Sequence, residues 1–76
     1  MVKVFMRVRL HIREIAEQRN ITRTRLSRLA DLNYATVYAL WSGEVDDVYV
    51  TTLGKIAKAL KVPITDLFTL IDEENE

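Results

Sequence analysis

Residues 26–43 read Leu26-Ser27-Arg28-Leu29-Ala30-Asp31-Leu32-Asn33-Tyr34-Ala35-Thr36-Val37-Tyr38-Ala39-Leu40-Trp41-Ser42-Gly43, and the spacing of their apolar side chains decides the fold. Leu26, Leu29 and Ala30 share one face of a helix predicted from Arg23 to Ala30 (helix 2). Val37, Leu40 and Trp41 share one face of another, Tyr34 to Trp41 (helix 3). Only Asp31-Leu32-Asn33 lies between them, and so short a connection forces a steep crossing with helix 2 at the back of helix 3. Asp31 tolerates the left-handed backbone that such a turn needs better than most residues. Asn33 caps helix 3, and Gly43 after Ser42 supplies a left-handed stop. On the side of helix 3 away from the apolar stripe stand Tyr34, Ala35, Tyr38, Ala39 and Ser42. A helix held outward in this way fits the major groove of a duplex, about 12 Å wide, with its N-terminal residues nearest the base edges.

The flanking segments follow by the same reading. Thr22 is a good N-cap for helix 2, and Ile21 before it can pack on Leu26 as a hydrophobic staple. Helix 1 is predicted from about Arg9 to Arg19. Ahead of it, Val2, Val4, Met6, Val8 and Leu10 alternate with Lys3, Phe5, Arg7 and Arg9, a strand pattern. A helix reaching back to Val4 through Val8, Ile12, Ile15 and Ala16 competes with that strand. After the loop Glu44 to Val48 comes helix 4, with Leu53, Ile56, Ala57 and Leu60 inward. Val62-Pro63 breaks the chain, and helix 5 starts near Ile64 with Ile64, Leu67, Phe68 and Ile71 inward. Asp72 to Glu76 reads as a fraying acidic tail.

The predicted fold is therefore all-α: a single helix–turn–helix domain over residues 1–71, a compact five-helix bundle in which residues 1–8 can form a short dimerising strand. A strand over residues 2–8 finds no second strand in this reading, since Val48-Tyr49-Val50 is too short to serve. Its edge hydrogen bonds predict pairing with a second copy across a two-fold axis, and so a homodimer.

Composition narrows the chemistry. At 76 residues and 8.8 kDa the chain makes one small domain. It has no Cys and one His, His11, which excludes disulfides, thiol catalysis and zinc held by cysteines or several histidines. No nucleophile–base pair, metal cluster or glycine-rich phosphate loop is present, so neither an enzyme nor a cofactor is expected. No apolar run approaches the roughly 20 residues of a membrane span, and no signal-peptide pattern opens the chain, so a cytoplasmic location is expected. The zero net charge hides an asymmetry. Residues 1–38 carry eight basic and three acidic side chains, and residues 39–76 carry three basic and eight acidic ones. One face able to meet a polyanion follows from such a split.

The run Leu26 to Gly43 quoted above resembles the helix–turn–helix core of the lambda-repressor-like, Cro-type DNA-binding domains. The segment Leu53-Gly54-Lys55-Ile56-Ala57-Lys58-Ala59-Leu60-Lys61-Val62, followed by Asp66-Leu67-Phe68, resembles their fourth helix and closing segment. The likeness covers roughly residues 9–71. It implies a five-helix bundle and sequence-specific binding of double-stranded DNA, usually as a dimer and most often in transcriptional control. Carried over, it assigns a phosphate contact to Arg23 and base-edge positions to Tyr34, Ala35, Tyr38 and Ala39. Asn33 and Thr36 fall within the same surface. The sequence departs from the family in three places. Ala16 and Trp41 stand where an Arg–Glu pair is common. The loop after helix 3 is acidic, Glu44-Val45-Asp46-Asp47, where relatives are often basic. Helix 3 offers no Arg, Lys, Gln or Asn beyond its cap, the side chains that make bidentate base contacts.

Arg23 and Arg25 lie in the first turn of helix 2, where the positive end of the helix dipole disfavours cations by roughly 0.3–1 kcal/mol each. Phosphates approaching that end would account for both. Tyr34 and Tyr38 can serve as readers, hydroxyls on phosphate or base edges and rings along thymine methyls, as anchors for a protein partner, or as plain surface residues. Arg7, Arg9, Arg13 and Arg28 can add attraction at the groove's edge. Trp41 is expected in the core and His11 exposed on helix 1. The alternative to a DNA-binding regulator is a protein-interaction module, antitoxin-like, on the same scaffold. The acidic loop, the aromatic face and a pI near 6.6 favour that alternative.

Overall fold

A computed structural model describes residues 3–75, with the side chains of residues 7–71. The chain runs β1 (Lys3–Leu10), α1 (Ile12–Gln18), α2 (Arg23–Leu29), α3 (Tyr34–Trp41), β2 (Glu44–Val45), α4 (Val50–Leu60), a single 3-10 turn (Ile64–Asp66) and β3 (Phe68–Asn75). Four helices pack around one core. Ile12 and Ala16 of α1, Leu26 of α2, Val37 and Leu40 of α3, and Leu53, Ile56, Ala57 and Leu60 of α4 are all buried, joined by Leu10, Ala30 and Leu67. Leu29, expected among them, is half exposed.

The helix–turn–helix forms as its local signals dictate. Thr22 Oγ1 accepts the Arg25 N–H at 3.2 Å, and Asn33 Oδ1 accepts the Ala35 N–H at 2.8 Å, so both helices start on side-chain caps. Asp31 takes the left-handed backbone at φ 55° and Gly43 at φ 102°. At the end of α4, Lys61 adopts φ 59° and the Val62 N–H reaches back to the Ala57 carbonyl at 3.1 Å, closing the helix.

The all-α, five-helix expectation is overturned at both ends of the chain. Among the described residues no fifth helix forms. After the turn at Ile64–Asp66 the chain extends as β3, antiparallel to β1 from Leu10↔Phe68 to Lys3↔Asn75. β2, the first two residues of the expected loop, lines the other edge of β1 through Val8↔Val45 and Arg9↔Glu44. The result is a three-stranded sheet in the order β2-β1-β3. Two physical reasons favour the strand. A helix continued from Ile64 would end on Asp72, Glu73 and Glu74, beside the negative end of its own dipole. Thr69 and Ile71 are β-branched, and the open edge of β1 offers β3 a register partner at every residue, with ladder hydrogen bonds at alternate ones.

The acidic residues expected to fray therefore stand, through Asn75, in a paired strand, and Glu76 lies outside the described residues. The N-terminal strand is present, with Val2 outside the described residues, but its partners belong to its own chain. That removes the reason for which pairing with a second copy was predicted. Helix 1 is shorter than expected because residues 10 and 11 are tied outside it, the Leu10 N–H on the Gly43 carbonyl and the His11 N–H on the Leu67 carbonyl, both at 2.7 Å. His11 sits ahead of α1, half-buried, and its Nε2 lies 2.8 Å from Thr69 Oγ1, tying the helix start to β3.

Candidate nucleic-acid interface

The outward side of α3 is open. Tyr34 is 43% and Tyr38 56% exposed, Ala35 and Ala39 are exposed between them, and Thr36 is half-buried at the margin. The Arg23 guanidinium, from the first turn of α2, lies over the Tyr38 ring 4.7 Å from its centroid. The Tyr34 ring follows with its centroid 6.2 Å from that of Tyr38, at an interplanar angle of 50°. Arg23, Tyr38 and Tyr34 thus form a continuous stack that joins the start of α2 to the face of α3. A cation over an aromatic ring at a partly exposed site stabilises by about 0.5–1 kcal/mol, comparable to the dipole penalty Arg23 incurs where it stands. Arg25, two residues onward, is exposed and lines a cleft with Thr22, Thr24, Arg28 and Leu29.

Of the eight residues singled out from sequence, six fall on this surface in two groups. Arg23, Tyr34 and Tyr38 form the stack. Ala35, Thr36 and Ala39 line one wall of a recess whose other wall is Asp47, Val48, Tyr49 and Thr52. Asn33 opens α3 with its carbonyl oxygen engaged as the cap. Arg25 stands apart from both groups, beside Arg28. Tyr49, 81% exposed, and Thr52 belong to the recess and were not singled out. Nothing in their spacing points to α3, because the loop that carries them there has no periodicity to read. Trp41 is only half-buried. It packs on the core and also lines a cleft with Arg13, Glu17, Ile21 and Arg23.

Charge pairing sorts the remaining cations. Arg7 Nε lies 3.3 Å from Asp46 and 3.8 Å from Glu44, and Arg9 reaches Glu44 at 4.0 Å. Arg13 pairs with Glu17 at 3.4 Å. The acidic loop is thus held against β1 by two arginines, and the third acid, Asp47, accepts the Val48 N–H at 2.8 Å. Among the described residues, no carboxylate lies within ion-pair distance of Arg23, Arg25 or Arg28. Arg23, Arg25 and Arg28 thus stand together on α2, at and behind the stack, while Lys55, Lys58 and Lys61, also without an ion pair among the described residues, line a separate surface on α4.

Two short helices joined by a tight left-handed turn, the second presented outward beside unpaired arginines, define a helix–turn–helix protein. The model of the Cro/C1-type HTH DNA-binding domain matches residues 11–73, and the chain belongs to that family. No curated protein matches the sequence closely enough to count as a relative. Among the described residues, no helix is long and apolar enough to cross a membrane.

Proposed function

We propose that the chain is a DNA-binding transcriptional regulator that acts without catalysis, laying α3 in the major groove of double-stranded DNA. The observation that carries this reading is the stack of Arg23 on Tyr38 beside the open face of α3. It gives a cation for the phosphates and an uncharged aromatic surface for the base edges within one contiguous patch. Arg25 and the N–H groups of the first turn of α2 add to the phosphate grip.

The acting form is a homodimer reading two half-sites about 34 Å apart. Its support is the outer edge of β3, which no strand covers among the described residues. Sedimentation at roughly tens of micromolar, a range in which weak dimers form, tests this, and a strict monomer with and without duplex rejects it.

Fluorescence anisotropy with a random-sequence duplex tests the main reading. With two to four phosphate contacts per subunit, affinity should fall about ten- to a hundred-fold between about 50 and 200 mM salt. A flat salt response counts against it.

The exposed Tyr34–Tyr38 pair also favours a second reading, an antitoxin-like module that anchors a protein partner. Absence of duplex binding even at low salt would move the balance to that reading.

A further inference from the structure

We infer that α3 selects its site by the C5 methyl group of a pyrimidine, that of thymine or of 5-methylcytosine, received in the recess between α3 and the start of α4. This rests on the DNA-binding reading above. The outward positions of α3 offer no side chain able to make a bidentate hydrogen bond to a base edge, and the one nearby amide, Asn33, has its carbonyl oxygen committed to the Ala35 N–H at 2.8 Å. The nearest guanidinium, Arg23, rests on the Tyr38 ring.

What α3 does offer is apolar and short. Ala35 and Ala39, one helical turn apart, end in methyl groups and let the helix sit deep. Across the recess stands Tyr49, with Leu40 between. The one charged residue lining it among the described residues is Asp47, whose carboxylate would repel a phosphate, so the part of a duplex this recess can receive is a base edge and not the backbone. Facing the major groove, the apolar feature that distinguishes one base pair from another is the C5 methyl.

The test uses duplexes selected by the protein from a random pool and rebuilt with deoxyuridine in place of thymidine, one position at a time. At a methyl-read position affinity should drop about four-fold, the value of one methyl buried from water. At that same position, 5-methylcytosine·guanine should bind several-fold better than cytosine·guanine. The two arms separate the sources of the methyl. Tyr49→Ala removes the far wall at an exposed position, so it should fold. It should bring the thymine-to-uracil ratio close to one. Equal affinity for the thymine and uracil duplexes at every position, with random-duplex binding intact, overturns the methyl assignment and leaves the regulator standing. A ratio unmoved by Tyr49→Ala overturns the placement in this recess. Failure to bind any duplex overturns both.

Discussion

Arginines stand in two regions of this molecule and have opposite surroundings. In β1, Arg7 and Arg9 reach Glu44 and Asp46 across the sheet edge. At the start of α2, Arg23 meets only the face of an aromatic ring, and no acid lies near Arg25 among the described residues. Exposed ion pairs of the first kind contribute about 0–1 kcal/mol, so their main consequence is to quiet the negative loop. Cations of the second kind stand against the helix dipole, and no carboxylate among the described residues neutralises them. The excess of basic residues in the first half of the sequence therefore overstates the field along β1 and understates its concentration at α2. Pairing, and not the count per segment, decides where a polyanion is drawn.

The strongest way to break that contrast is the double change Arg23→Ala, Arg25→Ala. It should weaken random-duplex binding more than ten-fold at about 100 mM salt and reduce the salt slope by about two, one for each lost phosphate contact. Thermal stability should hold or rise slightly, since two cations leave the positive end of a helix. An unchanged slope would place both arginines away from the DNA.

Asn33→Ala comes next and separates fold from contact. Loss of the α3 cap should lower stability by about 1 kcal/mol in denaturant unfolding. Because the cap oxygen is engaged with Ala35, preference among duplexes should stay as it was. A change in preference without loss of stability would make Asn33 a reader instead.

Tyr38 tests the stack itself. Tyr38→Phe keeps the ring under Arg23 and should keep affinity. Tyr38→Ala should lose two- to five-fold, equivalent to about 0.5–1 kcal/mol for a cation over an aromatic face. Equal losses in both variants would assign the contact to the hydroxyl.

How far these regions were legible follows from the range over which each is specified. The α2–turn–α3 unit is written within about one helical turn of every decisive residue: Thr22 and Asn33 cap, Asp31 turns, Gly43 stops, and Val37 and Leu40 face in. The last segment is different. Ile64, Leu67, Phe68 and Ile71 fit helical spacing well, yet the state of Phe68–Asn75 is decided by an unfilled edge at Lys3–Leu10, at the far end of the chain. A local pattern cannot show that partner. The same limit hid half of the site. Tyr34, Ala35, Tyr38 and Ala39 could be read as one outward face, but the Arg23 stack, Tyr49 across the recess and the pairing of Arg7 with the acidic loop all arise from tertiary contact.

The smallest effect, and the one that sharpens the opening contrast most, comes from neutralising the quiet region. Glu44→Gln with Asp46→Asn leaves the backbone pairing Val8↔Val45 and Arg9↔Glu44 in place, so the sheet should persist with a stability loss under about 1 kcal/mol. It frees Arg7 and Arg9 from their acidic partners and removes two negative charges from the loop that follows α3. Affinity for a random duplex should then rise, by a few-fold at about 50 mM salt. The gain should vanish near 1 M, where screening confines charges to about 3 Å. A salt-insensitive gain would mean a direct contact had been created. No gain at all would mean the loop lies beyond the reach of the phosphates.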